Sequence, residues 1–217
     1  LGLEKRTAKY QIAATLYYMK YQNQLVLTGK INDVGAYTRN NIDKSYRAGI
    51  EIDGKYQFNS IISIAGNIAF SENKIKNFTE FIDDYDNGGQ KTNIYKKSTI
   101  AYSPSVVGGA TLTIAPIKNA EIHLIGKYVS RQYLDNTTNK QRSLNPYYVQ
   151  DVRLNYTLEK KAFKKMDIYL QMNNIFNKKY EANGYTFSYI YDGNLTTENY
   201  YFPMAPFNIM AGINIGL

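Results

Sequence analysis

Apolar and polar residues alternate at every second position over segments of about 10 to 14 residues, and the pattern returns eight times along the chain. The clearest case is Tyr46 to Phe58. Tyr46, Ala48, Ile50, Ile52, Gly54, Tyr56 and Phe58 fall on one side, and Arg47, Gly49, Glu51, Asp53, Lys55 and Gln57 on the other. At the helical angle of 100° per residue these charges would scatter around the axis. At 180° they separate, so the segment reads as a strand with one apolar face. The chain closes on the same pattern: Ile209, Ala211, Ile213, Ile215 and Leu217 oppose Asn208, Met210, Gly212, Asn214 and Gly216. The other six segments are Lys9–Tyr21, Ile61–Ser71, Ser105–Pro116, Glu121–Tyr133, Tyr147–Leu158 and Met166–Phe176.

Their length matters. A strand tilted across a membrane needs roughly 9 to 11 residues, whereas strands in soluble domains more often have five or six. The connections agree. Asn59–Ser60, Ile117–Ala120 and Glu159–Lys165 are short, whereas Gln22–Ser45, Glu72–Pro104, Leu134–Pro146 and Asn177–Phe207 are long. Short and long alternate strictly, as periplasmic turns and extracellular loops do in outer-membrane barrels. Tyr17, Tyr18, Tyr21, Tyr46, Tyr56, Phe58, Phe70, Tyr128, Tyr147, Tyr148 and Tyr156 lie near strand ends, where interfacial girdles belong. The alternatives left by the pattern are a tyrosine-rich soluble sheet acting as a binding module, and a complete eight-stranded barrel.

Composition removes whole classes of function. Of 217 residues none is Cys and one is His, so disulfides, thiolate metal sites and multi-histidine zinc sites are excluded. Mean hydropathy is −0.44, and no apolar run approaches a transmembrane helix. No phosphate-cradling glycine loop and no nucleophile–base pair is readable, so the chain reads as non-enzymatic. Basic residues are spread over strands and loops, not gathered in a nucleic-acid stripe, yet the formal charge is +8.

Three local clusters carry candidate chemistry. His123 shares an alternating face with Glu121, Lys127 and Arg131, the expected lumen side, and reads first as a lumen polar residue. Asp83, Asp84 and Asp86, before Asn87-Gly88-Gly89, could form a loop calcium clip, although Tyr95 stands where an EF-hand register needs Glu. Lys160, Lys161, Lys164 and Lys165 crowd one short turn, as a solvated turn or an anion-binding one.

Met172-Asn173-Asn174-Ile175-Phe176-Asn177-Lys178-Lys179-Tyr180 resembles the run before the last extracellular loop of TonB-dependent outer-membrane receptors. Asn183-Gly184-Tyr185-Thr186-Phe187-Ser188-Tyr189-Ile190-Tyr191 and Tyr200-Tyr201-Phe202-Pro203-Met204-Ala205-Pro206 follow in the same order as in that family. Upstream, Leu16–Tyr21, Gln24–Gly29, Asn32–Asn40 and Ser45–Glu51 are similar to it as well.

The resemblance implies an all-β fold: a transmembrane antiparallel β-barrel, with this chain as the last eight strands of a 22-stranded barrel. Residues 1–217 would be the C-terminal part of the barrel domain, with the plug domain and its TonB box outside the chain. Leu217 stands where the family usually has an aromatic. The implied function is energised import of a scarce nutrient, such as a ferric siderophore, across the outer membrane of a Gram-negative bacterium. The implied partners are TonB through the plug, outer-membrane lipid and lipopolysaccharide, with no nucleic acid. Candidate ligand contacts are Arg39, Arg131 and Arg142, which could steer an anion, and Tyr185, Tyr189 and Tyr191, which could stack on aromatic ligand groups. The +8 fits either ligand steering or lipopolysaccharide contact.

Overall fold

The computed structural model describes residues 1–31, 37–160 and 163–216. Among these the chain forms β1 (Gly2–Arg6), β2 (Tyr10–Tyr21), β3 (Gln24–Ile31), β4 (Tyr37–Ile42), β5 (Lys44–Gln57), β6 (Ile62–Asp84), β7 (Gln90–Thr99) and β8 (Val106–Ile117). The second half gives β9 (Ala120–Val129), β10 (Gln132–Tyr133), β11 (Ser143–Leu144), β12 (Tyr147–Lys160), β13 (Phe163–Asn173), β14 (Glu181–Tyr191), β15 (Asn194–Pro203) and β16 (Asn208–Gly216).

One antiparallel wall runs in the order β1-β2-β5-β6-β8-β9-β12-β13-β16. Each of the eight alternating segments of the sequence supplies one strand of it, joined by a ninth strand, β1, which is too short to show the period. The first and last strands of the wall do not pair with each other, so the sheet is open.

Register explains why the alternation works. Directly opposed residues share a face. Tyr10, Tyr56, Ile64, Leu112, Leu124, Val152, Met172 and Ile209 are successive direct partners across eight strands, an unbroken apolar row. On the opposite face, Gln57, Ser63, Thr113, His123, Arg153 and Gln171 form a polar row in the same way. A slip of one residue in any strand would interrupt both rows. Two glycines on the polar face accept tyrosine rings: Tyr17 lies over its partner Gly49, and Tyr169 over its partner Gly212, where any Cβ would meet the ring.

The long connections are not irregular. β3 and β4 form a hairpin, and the outer half of β6 leaves the wall to pair with β7. β14 and β15 form a third hairpin, and Tyr189-Ile190 of β14 add in parallel to Asp83-Asp84 of β6. The order β7-β6-β14-β15 is thus a branch of the same sheet, continued beyond the wall through the outer half of β6.

Glu121–Tyr133 is also not one strand. It breaks after Val129, and Gln132-Tyr133 pair with Ser143-Leu144 instead. Met166–Phe176 ends at Asn173, because Asn174 and Asn177 adopt left-handed φ of 50° and 49°.

The tightest packing lies in these outer hairpins. Val26, Ile42, Ile75, Phe78 and Ile100 form a buried cluster against Tyr95. Ile75 and Phe78 are three residues apart on one strand, yet both are buried. Asn77 between them has φ 56°, which rotates the strand so that both point inward while Lys76 and Asn77 are exposed. A second cluster joins Val129, Tyr147 and Val149 to Val107 and Tyr180 where the wall meets the hairpins.

Candidate ligand-binding site

Tyr185, Phe187, Tyr189 and Tyr191 alternate along β14 and so share one face. Tyr200 of β15 is the direct partner of Tyr185. The Tyr185 and Tyr200 rings stack at 4.8 Å and 8°, Phe187 stacks on Tyr200 at 5.9 Å, and Phe202 lies 6.1 Å from Tyr185. Tyr85, from the β6–β7 tip, adds its ring 5.6 Å from Tyr189. The hairpin forms because Asp192 and Gly193 both have positive φ, 51° and 69°, the two-residue turn whose twist matches its strands.

Glu198 sits on the same face and accepts hydrogen bonds from Tyr200 Oη at 2.6 Å and Tyr189 Oη at 2.8 Å. Those hydroxyls hold its carboxyl below the usual range, and the carboxylate in turn raises both phenols. The result is an aromatic ladder in which Glu198 holds the hydroxyls of Tyr189 and Tyr200. Tyr191 at 64%, Phe202 at 53% and Tyr200 at 43% remain exposed to an incoming ligand.

The opposite face of the hairpin packs inward. The Gly184 carbonyl accepts from Tyr102 Oη at 2.5 Å, and Asn199 donates to the Gln141 carbonyl at 2.9 Å. Here Arg142, 4% exposed, pairs with Glu80 and with Asp135 at 3.0 Å. Burial alone would lower the Arg142 pKa, but its bonds to Glu80 and Asp135 outweigh that and raise it. Tyr95 donates to Glu80 at 2.8 Å, and burial, then the Glu80 bond and charge, push its phenol up to about 12. A cavity of about 150 Å³ lies among Phe78, Glu80, Tyr102, Asp135, Arg142 and Phe187. That is below the roughly 300 Å³ where drug-sized pockets begin, so it cannot enclose a chelate.

The sequence candidates therefore separate. Tyr185, Tyr189 and Tyr191 come together on the ladder. Arg142 is inward, with its charge matched by two carboxylates. Arg131 donates to Ser143 Oγ at 2.7 Å, and Arg39 is exposed on β4 opposite Leu27. His123 lies in the polar row, with Nδ1 3.0 Å from Thr113 Oγ1 and Nε2 2.9 Å from Asn155 and 3.1 Å from Glu121.

The aspartates of the β6–β7 turn each serve a different partner. Asp84 accepts from the Asp86 and Asn87 amides, Asp83 from Gln90, and Asp86 from the Asp192 and Gly193 amides at 2.8 Å. The Asn87 side chain and amide hold Asp84 below its ordinary pKa. Among the described residues no three His, Cys, Asp or Glu side chains gather into a metal site. The Asn32–Ala36 stretch, Lys161, the Lys160 and Lys164 side chains, and Leu217 lie outside what is described.

Sequence reading missed Glu80 and Asp135, which meet Arg142 from 62 and 7 positions away with no shared motif. It also missed Asn174. This residue is 3% exposed, donates to the Lys178 carbonyl at 2.9 Å and the Ala205 carbonyl at 3.3 Å, and accepts from the Lys178 amide at 2.8 Å. It ties the two feet of the β14–β15 hairpin to the wall. Its place in the Asn173-Asn174-Ile175-Phe176 run was the available signal.

Among the described residues no helix is long and apolar enough to cross a membrane, which leaves crossing by strands open. A family model described as "TonB dependent receptor-like, beta-barrel" matches residues 1–175. No curated protein matches the sequence. Solved structures do. The siderophore receptor PiuA from Acinetobacter baumannii is 15% identical with a TM-score of 0.69, over 99% of this chain and 27% of that one. The ferric-catecholate import receptor Fiu from E. coli K12, closed form, is 17% identical with a TM-score of 0.64, over 99% and 26%. The copper transporter OprC is 14% identical with a TM-score of 0.67, over 98% and 30%. This chain thus spans between a quarter and a third of those receptors, and at these identities the likeness is one of fold. The family resides in the Gram-negative outer membrane and is non-enzymatic. With more than half of its length matched by the family model, the chain belongs to the TonB-dependent receptor β-barrel family.

Proposed function

We propose that this chain is part of the barrel wall and extracellular capture surface of an energised importer, with a ferric siderophore as the class of cargo. The apolar rows face lipid, the polar rows line the lumen of a 22-stranded barrel, and the outer hairpins face the medium. In this reading a plug domain and TonB, both outside the chain, couple release of the cargo to the inner membrane. The observation that carries the proposal is the aromatic ladder of β14–β15. Five rings (Tyr185, Phe187, Tyr189, Tyr200 and Phe202) held on one face by ring contacts and by Glu198 offer contact area with little further ordering, with Tyr191 exposed beside them, which suits planar, aromatic or catecholate ligand groups. Tyr185, Tyr189 and Tyr191 supply the stacking surface. Arg39 is the cation placed to attract an anionic chelate, and Arg131 and Arg142 shape the floor beneath it.

The test is uptake by the full-length receptor, with ferric catecholates, ferric hydroxamates, copper, cobalamin and oligosaccharides compared in an energised strain. Saturable uptake of a ferric chelate, with Tyr185→Ala/Tyr191→Ala weakening its binding by about tenfold, is the expected result. Uptake of copper alone, or binding indifferent to both tyrosines, would overturn the cargo class.

A further inference from the structure

The cavity of about 150 Å³ beneath the aromatic ladder is mostly apolar, with one charged corner. Leu27, Phe78, Phe81 and Leu134 supply apolar wall, and Asp135 and Arg142 stand side by side at the corner. Tyr102 and Tyr185 also line it, and each is 37% exposed, so the cavity meets the surface between them.

The corner has hydrogen-bonding capacity to spare. Arg142 is 4% exposed, and its bonds to Glu80 and Asp135 are both made by Nη1. Its Nε is buried and, among the described residues, has no hydrogen-bond partner. A buried donor left unpaired is costly, the more so on a charged group. Asp135 Oδ1 accepts from the Thr137 amide at 3.0 Å and hydroxyl at 2.6 Å, whereas Oδ2 accepts from Arg142 alone at 3.0 Å. One donor, Arg142 Nε–H, and one acceptor, Asp135 Oδ2, are therefore presented together.

Size and charge narrow what fits. A cavity of this volume with apolar walls holds one benzene ring. The same volume corresponds to roughly five waters, each needing two to four polar partners. The lining hydroxyls of Thr137, Thr186 and Ser188 are already bonded within the protein. One donor and one acceptor serve a single hydroxyl. Two carboxylates against one guanidinium also oppose an anion, so a carboxylate or a metal-bound catecholate is rejected. A neutral phenol meets every condition: its oxygen accepts from Arg142 Nε–H, its O–H donates to Asp135 Oδ2, and its ring fills the apolar remainder.

We propose that this cavity is a binding site for a single neutral hydroxyaryl ring, separate from the stacking surface of the ladder. Two sources share that chemistry, a free phenol and a metal-free hydroxyaryl arm of a chelate seated on the ladder. The second rests on the cargo reading above; binding of the ring itself does not.

The test uses the full-length receptor in phosphatidylcholine nanodiscs, with para-fluorophenol as the probe, fluorine NMR as the readout and lipid-only nanodiscs as the blank. Wild type is expected to bind para-fluorophenol about tenfold more tightly than fluorobenzene, which lacks the hydroxyl, and not to bind para-fluorobenzoate measurably. These comparisons need no variant, and equal binding of either analogue would overturn the site. Ser188→Leu, which fills the cavity from β14, should weaken the phenol about tenfold, with heat-modifiable gel mobility showing that the variant is folded. Tyr191→Ala, on the exposed ladder, should leave it bound. The reverse pattern would put the ring on the ladder and overturn the site. Uptake separates the sources. Slower uptake by Ser188→Leu of a ferric chelate bearing a free hydroxyaryl arm, with ferric hydroxamate uptake unchanged, supports the attached arm; unchanged uptake of both supports a free phenol. Absence of ferric uptake in wild type would sink the cargo reading and leave the para-fluorophenol result standing.

Discussion

Arg142 is a cation whose charge is consumed inside the protein. Glu80 and Asp135 surround it, and Phe78 and Ile82 beside Glu80 are 2% exposed. Breaking a buried pair by removing one partner leaves the other charge uncompensated, which costs about 3–5 kcal/mol. Arg142→Met should therefore loosen the outer hairpins by that amount, read as lost hydrogen-exchange protection in β6, β7 and β14. Arg142→Met/Glu80→Met should recover much of it. If the single substitution leaves protection unchanged, the pair is not holding the hairpins together. Tyr95 adds a pH dependence of definite sign. Its folded pKa, about 12, lies above the ordinary value of 10.0. The protonated phenol is the form that folding favours, so its contribution is complete below pH 10 and is lost as pH rises toward 12. Tyr95→Phe should flatten the loss of hairpin stability over that window in an alkaline titration, while the wild type declines.

Among elements, the β14–β15 hairpin depends on its feet. Asn174 satisfies two carbonyls and one amide from a left-handed conformation that asparagine tolerates. Asn174→Ala leaves those groups unpaired and should cost about 1–3 kcal/mol. The expected sign is faster proteolysis within 178–206 with the wall intact; cleavage spread evenly over the wall would contradict a local role. The glycine–tyrosine contacts act at the same scale. A Val side chain at Gly212 would displace the Tyr169 ring from the sheet face and weaken the β13–β16 pairing. Gly212→Val should lower the temperature of heat-modified gel migration, and adding Tyr169→Ala should restore part of it.

The whole molecule is a two-faced wall carrying a separately packed outer layer. Its apolar face has no protein partner among the described residues, and its large side chains remain exposed, Leu16 at 52% and Ile213 at 61% among them. In a bilayer that face meets acyl chains. Ile52→Arg, at mid-wall on the apolar face, should cost about 2–4 kcal/mol in membrane refolding. Asp53→Arg, its neighbour on the polar face, should cost little. The reverse ranking would invert the assignment of faces.

The sequence by itself determined the wall. A period of two is a local property of a pleated strand, and lipid on one side with water on the other imposes it on every strand. The eight long segments and the strict alternation of connections were legible for that reason. β1 was not, because five residues hold too few periods to count. The hairpins in the long connections are not legible as strands, although the Asp192-Gly193 turn is in plain view, since an aromatic alternation such as Tyr185 to Tyr191 serves a ligand surface as well as a strand. The candidate site divided in the same way. The clustering of aromatics in one connection was visible, but which arginine faces outward was not. Arg39, Arg131 and Arg142 look alike in sequence. Only tertiary structure brought Glu80 to Arg142 across 62 positions. Periodicity encodes the face a residue takes within its own strand. Charge pairing depends on which strands meet, and that is decided by register and by the chain's return over long separations.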